Sequence, residues 1–133
     1  MTNPALRARY LADTVTTASP TRLLVMLYDR LAVDLARGEE ALEAADRETA
    51  ATCLQHAQDI ILELQLGLNR EGWAGSDALA QIYTFLLTEL VTANIHAEPG
   101  RVAACRGLVE PLRDAWRQAA ADIATPVPAE RIG

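Results

Sequence analysis

Four successive stretches of this chain place aliphatic residues at three-four spacing, each bounded by proline, glycine or a polar cap. That pattern restricts the fold more than any other feature, because an α-helix returns a side chain to one face every 3.6 residues. The first stretch runs from Ser19 to about Ala44 and carries Leu24, Leu27, Leu31, Leu35 and Leu42. Ser19 is a capping residue type, and Pro20 suits the first helical position, where its missing N–H would have no partner anyway. The second, with Asp46 as its expected cap, carries Leu54, Ala57, Ile61, Leu64 and Leu68. Gly72-Trp73-Ala74-Gly75 interrupts the pattern, and Ser76 is the expected cap of the third stretch, with Leu79, Ile82, Tyr83, Leu86 and Leu90. Pro99-Gly100 marks the last turn.

The fourth stretch has the strictest repeat: Val102, Cys105, Val109, Leu112, Trp116, Ala119 and Ile123. Gly107 and Pro111 fall inside it. An interior proline removes a hydrogen bond and clashes one turn back, at ~3 kcal/mol in an ordinary helix, so a kink or a split is expected there. Four amphipathic helices on short loops predict an all-α fold, an antiparallel up-and-down four-helix bundle over residues 19–124. An extended or short-helical lead-in, 1–18, precedes it, and a flexible tail, 125–133, follows.

Composition narrows the function classes. The chain has 133 residues, enough for one domain with a real core, and 50% are hydrophobic but only 5% aromatic. A net charge of −6 argues against a nucleic-acid binder, which needs a basic stripe. No N-terminal signal segment and no apolar run near the ~20 residues of a membrane span is apparent, so a cytoplasmic protein without membrane insertion is expected. Cys53 and Cys105 read as buried free thiols.

Chemistry-bearing motifs are sparse. His56 and His96 lack the Glu three residues earlier that a helical-bundle di-metal centre requires. Cys53 and His56 share one helical turn, but no second pair completes four ligands. His96 suits a helix C-terminus through the dipole. Glu39, Glu40, Glu43 and Asp46 read as a solvated helix end. Phosphate loops, nucleophile elbows and zinc-protease motifs are missing, so neither an enzyme nor a cofactor is expected.

The apolar residues exceed what one core needs. At about 100° per residue, Leu62 and Leu66 fall opposite the core stripe of the second helix. Leu87, Val91 and Ile95 do so on the third, Met26 and Val33 on the first, and the fourth has little surplus. Ordered second stripes on consecutive helices suggest a groove for an apolar helix of a partner, with the Asn94 amide beside it. Leu6, Tyr10 and Leu11 can share a face of a short helix that covers part of this surface when no partner is present.

Particular stretches carry a resemblance. Tyr10, Val15, Thr17-Ala18-Ser19-Pro20 and Met26-Leu27-Tyr28-Asp29 stand as in the FliS family of flagellar export chaperones. Glu63-Leu64 through Leu68-Asn69, Leu79 to Tyr83, Leu90 to Asn94 and Leu112-Arg113-Asp114-Ala115-Trp116 continue the likeness in order. Arg30 after Tyr-Asp, Tyr83-Thr84-Phe85-Leu86 and Pro111 depart from it. The resemblance implies a non-enzymatic, ATP-independent chaperone that binds the disordered C-terminal segment of flagellin. It also implies that the chaperone blocks premature polymerisation and aids delivery to a component of the flagellar export gate. Tyr10, Leu62, Leu66, Leu87, Val91, Asn94 and Ile95 are the expected client contacts. The alternative is a helical adaptor that associates with itself or another bundle and has no flagellin client.

Overall fold

The computed structural model describes residues 20–71 and 74–124. They form four helices: α1 (Pro20–Glu43), α2 (Arg47–Glu71), α3 (Ser76–His96) and α4 (Pro99–Ala124). Short connections force each helix antiparallel to the next. Helix α1 packs on α2 and α4, and α3 packs on the same two, which closes a four-cornered antiparallel bundle. Ser19, the lead-in and the tail lie outside the described residues.

Two helices end on alanines in the left-handed region, Ala45 (φ 59°) and Ala97 (φ 55°). At the first, Asp46 N–H bonds to the Ala41 carbonyl (2.8 Å) and Ala45 N–H to that of Leu42 (3.1 Å). This paired closure satisfies carbonyls that the helix end would leave orphaned. At the second, Glu98 N–H reaches the Ala93 carbonyl at 3.0 Å. Asp46 then caps α2 as the sequence suggests, its Oδ1 accepting from Thr49 N–H at 3.1 Å. Hydrogen bonding from the Thr49 side chain, and then from its N–H, holds the Asp46 carboxyl below its usual range. Helix α3 is different from expectation. Its N-cap is Gly75, without a side-chain cap, and Ser76 is already helical. Pro99, assigned to a turn, is the first residue of α4.

The predicted stripes meet in one core. Leu31, Leu35, Leu54, Ile61, Leu86, Leu90, Val102 and Val109 are wholly buried, while Leu24, Leu27, Leu112 and Trp116 are half-buried against them. Gly38 permits a close approach of α1 to α2, because a Cβ there would stand 2.7 Å from Leu54 Cδ2. Helix α4 continues as one element through Pro111 rather than splitting. Residue 107, whose carbonyl loses its donor and meets the proline ring, is an exposed glycine, so the freed carbonyl faces water. By length and composition α3 is apolar enough to cross a membrane, contrary to the sequence expectation. Here it is a bundle helix, burying Leu79, Tyr83, Leu86, Leu90 and Ala93.

Candidate functional site

Seams between helices differ in what closes them. The α1–α4 seam carries ion pairs, Asp29 with Arg117 at 2.7 Å and Glu39 with Arg106 at 2.8 Å. Glu39 therefore belongs to this seam rather than to a solvated helix end. Arg101 joins α4 to Glu89 of α3 at 2.8 Å. Among the described residues the α2–α3 seam has no ion pair. It is tied instead by Gln65 Nε2 to Thr84 Oγ1 (3.4 Å) and by Arg47 to the carbonyls of Asn94 (2.8 Å) and Ile95 (3.4 Å).

Beside those ties lies an apolar outer face. Leu62 (48% exposed) and Leu66 (55%) come from α2, and Val91 (42%) and Ile95 (63%) from α3. From Thr84 to Ile95 the face runs about 17 Å, three turns of helix. Thr84, Thr88 and Thr92 each donate the hydroxyl proton to the carbonyl four residues back, at 2.9–3.1 Å. Their protons are thus spent inside the helix, and the face offers methyl groups and acceptor lone pairs. Leu87 departs from expectation, being half-buried against the core in the seam. Asn94 is half-buried, with its carbonyl engaged by Arg47. Tyr10 lies outside the described residues. The sequence reading missed Phe85 (47% exposed) and Leu108 (41%) and placed Ile123 (66%) in the core repeat, so α4 does carry surplus apolar surface. Ile123 keeps the core spacing, but near the end of α4 it outruns its packing partners.

A second feature sits where α1 begins and α2 ends. An open cavity of about 540 Å³ is lined by Leu23, Leu24, Met26 and Leu27 of α1 and by Leu64, Gly67 and Leu68 of α2. Leu79 and Tyr83 of α3, with Trp116 of α4, complete the wall. Tyr83 bonds through its hydroxyl to that of Tyr28 at 2.5 Å, joining the diagonal helices α1 and α3 across the core. Burial pushes both phenols above their usual range. The Trp116 ring stands 6.4 Å from that of Tyr28. Its buried N–H makes no well-formed hydrogen bond among the described residues, although it lies close enough to favour charge on the Tyr28 oxygen. No sequence period could announce this cavity. Yet the stretches bearing the family likeness supply its wall: Pro20, Met26-Leu27, Leu64, Leu68, Leu79, Tyr83 and Trp116. That convergence was the available signal.

Charged chemistry is confined. Asp34, 2% exposed, is the buried carboxylate of the described residues, and it is held by His56 Nδ1 and by Arg30 at 3.5 Å. Among the described residues no cluster of His, Cys, Asp or Glu could hold a metal ion. Cys53 and Cys105 are free; burial pushes the Cys105 thiol up to about 12, with Glu89 adding to it, and raises Cys53 too. Both stay protonated at neutral pH and are poor nucleophiles.

Residues 1–123 match the family model described as flagellar protein FliS. The chain belongs to the FliS family. The flagellar secretion chaperone FliS of Bacillus subtilis is 36% identical over 110 residues, 83% of this chain and 82% of that one. That of Salmonella typhimurium is 30% identical over 106 residues, 78% of each. A crystal structure of a bacterial flagellar chaperone superposes with a TM-score of 0.72, covering 90% of this chain and 99% of the other at 23% identity. At that identity the structural likeness speaks for the fold alone. Family membership makes the two apolar features candidate seats for a secretion client.

Proposed function

We propose that this chain is a cytoplasmic, ATP-independent export chaperone that holds the disordered C-terminal segment of flagellin. By covering that segment it prevents premature polymerisation, and it presents the loaded subunit to a component of the flagellar export gate. One observation supports this reading above others: a FliS-family bundle with a complete core still exposes Leu62, Leu66, Val91 and Ile95 beside a seam that, among the described residues, no ion pair closes. Each such side chain contributes ~1.5–3 kcal/mol when fully buried, so covering the exposed half of four offsets a good part of the cost of ordering a client helix. Tyr10, outside the described residues, is assigned to the same contact set.

Calorimetric titration of the protein with the C-terminal segment of flagellin from the same source tests the proposal. One-to-one binding with a strongly negative heat-capacity change and a gain of helix is expected. Leu62→Asp combined with Val91→Asp should abolish that binding while melting stays cooperative. No binding to the unmodified protein at tens of micromolar, with the bundle intact, would move the function to the adaptor class.

A further inference from the structure

Glycine inside a helix is costly, and most of the described glycines repay that cost locally. Gly38 makes room for Leu54, Gly75 is the N-cap of α3, and Gly100 lies in the first turn of α4. Gly107 stands four residues before Pro111, where a proline ring presses on the carbonyl. Gly67 has no such reason. It lies inside α2, nothing among the described residues stands within 4 Å of the Cβ it lacks, and alanine there would improve helix propensity. The space beside it, among the described residues, is the 540 Å³ cavity. Two polar groups border the same cavity. The Trp116 N–H is buried and, among the described residues, has no well-formed partner, while Glu63 is an exposed carboxylate with no ion pair among them.

We propose that Gly67 is a specificity-determining position for the client. Its bare backbone lets an apolar segment of the client close directly onto α2. A large aliphatic or aromatic client side chain then fills the cavity between Leu27, Leu68 and Leu79. A client carbonyl accepts from the Trp116 indole, and a basic client residue faces Glu63. This rests on the flagellin reading above and adds to it a second seat, at the end of the bundle and separate from the α2–α3 outer face. A client segment carrying a carboxylate opposite Glu63 is disfavoured, because like charges would meet as water leaves the contact.

The experiment compares the full-length protein with Gly67→Leu, Gly67→Ala and, as a control outside the cavity, Gly107→Ala. Each is titrated with the flagellin C-terminal segment and melted in parallel. Gly67→Leu should weaken binding by about 10-fold or more, the size expected for overpacking a filled contact. Gly67→Ala should weaken it less while raising Tm by about 2–5 °C, and it adds only helix propensity, so a folding failure cannot mimic the result. Gly107→Ala should leave the affinity unchanged. Glu63→Gln should cost a few-fold and reduce the salt dependence of binding. Wild-type affinity in both Gly67 variants would overturn the assignment and leave the cavity to the chain's own first eighteen residues or to solvent. A flat titration of the unmodified protein would instead refute the flagellin reading itself, and this inference would fall with it.

Discussion

Removing the hydroxyl of Tyr83 tests how the cavity end of the bundle is held together. Tyr28 and Tyr83 are 0% and 1% exposed, and each hydroxyl faces the other at 2.5 Å across the core. Tyr83→Phe keeps the ring but leaves the Tyr28 hydroxyl buried without that bond. A stranded buried hydroxyl costs about 1–3 kcal/mol, against a total stability on the order of 5–15 kcal/mol for a domain of this size. Tyr28→Phe strands Tyr83 in the same way. The double variant replaces both partners by apolar groups of like shape and should lose far less than the sum of the two. Urea denaturation followed by circular dichroism gives the four stabilities, with unchanged m as the check that folding stays two-state. A cycle coupling of about 1 kcal/mol or more is expected, and single losses below about 0.5 kcal/mol that simply add would refute the argument. The same pair predicts an alkaline limb. Both folded phenols titrate above the ordinary value of 10.0, so above pH 10 the unfolded chain has lost protons that the folded chain retains. Stability therefore falls as pH rises past 10, and this slope should flatten in the double variant.

Other consequences follow from backbone and caps. Pro111→Ala restores a hydrogen bond in an exposed stretch of α4 and should stabilise the protein by about 1–3 kcal/mol, read as a higher urea midpoint. Ala45→Gly and Ala97→Gly each relieve a left-handed alanine and should add about 0.5–1 kcal/mol, measured by thermal melting; a lower Tm in either would contradict the positive φ. Asp46 has a folded pKa below its ordinary 3.8, so its contribution is full above that value and lost as pH falls through the lower one. Asp46→Ala should lower Tm at neutral pH and make the acid limb of Tm against pH shallower.

The bundle was legible because burial in a helix pair is periodic. Leu54, Ala57, Ile61, Leu64 and Leu68 were read at helical spacing and all are buried. Outward residues at the opposite pole were legible by the same arithmetic, as with Leu62 and Leu66. Errors fell at the flanks, where the neighbouring helix decides. Leu87 sits in the α2–α3 seam and is half covered, whereas Leu108, three residues from Cys105, ends up 41% exposed. Periodicity also misjudged charges, since Asp34 was not singled out and is buried through His56, a partner on another helix. Pro111 was expected to kink or split α4, and the split does not occur, because local rules count the lost bond but do not see that residue 107 is exposed to water. The cavity was invisible for a deeper reason: a gap between helices is a property of distances between elements, and no single stretch encodes it.

The distribution of ion pairs bears on where a client can dock. A surface pair such as Asp29–Arg117, with both side chains 41–50% exposed, contributes at most about 1 kcal/mol to stability. Covering it with an apolar partner would strip water from both charges, at a cost of several kcal/mol per ion that an apolar client repays poorly. The α1–α4 seam is thus closed to an apolar helix by its own charges. On α3 the exposed residues from Gln81 to Ile95 are Gln81, Thr84, Phe85, Thr88, Val91 and Ile95, none of them charged, while Glu89 is turned aside to Arg101. The three threonines add little desolvation cost, since their hydroxyl protons are already bonded to their own helix. An apolar client is thereby directed to α3 and its flanks by what the other seam would charge for dehydration as much as by any attraction of its own. The end cavity obeys the same rule, with Glu63 the one charged residue of its lining among the described residues, so a client bound at both places would wrap the bundle and leave the α1–α4 seam in water.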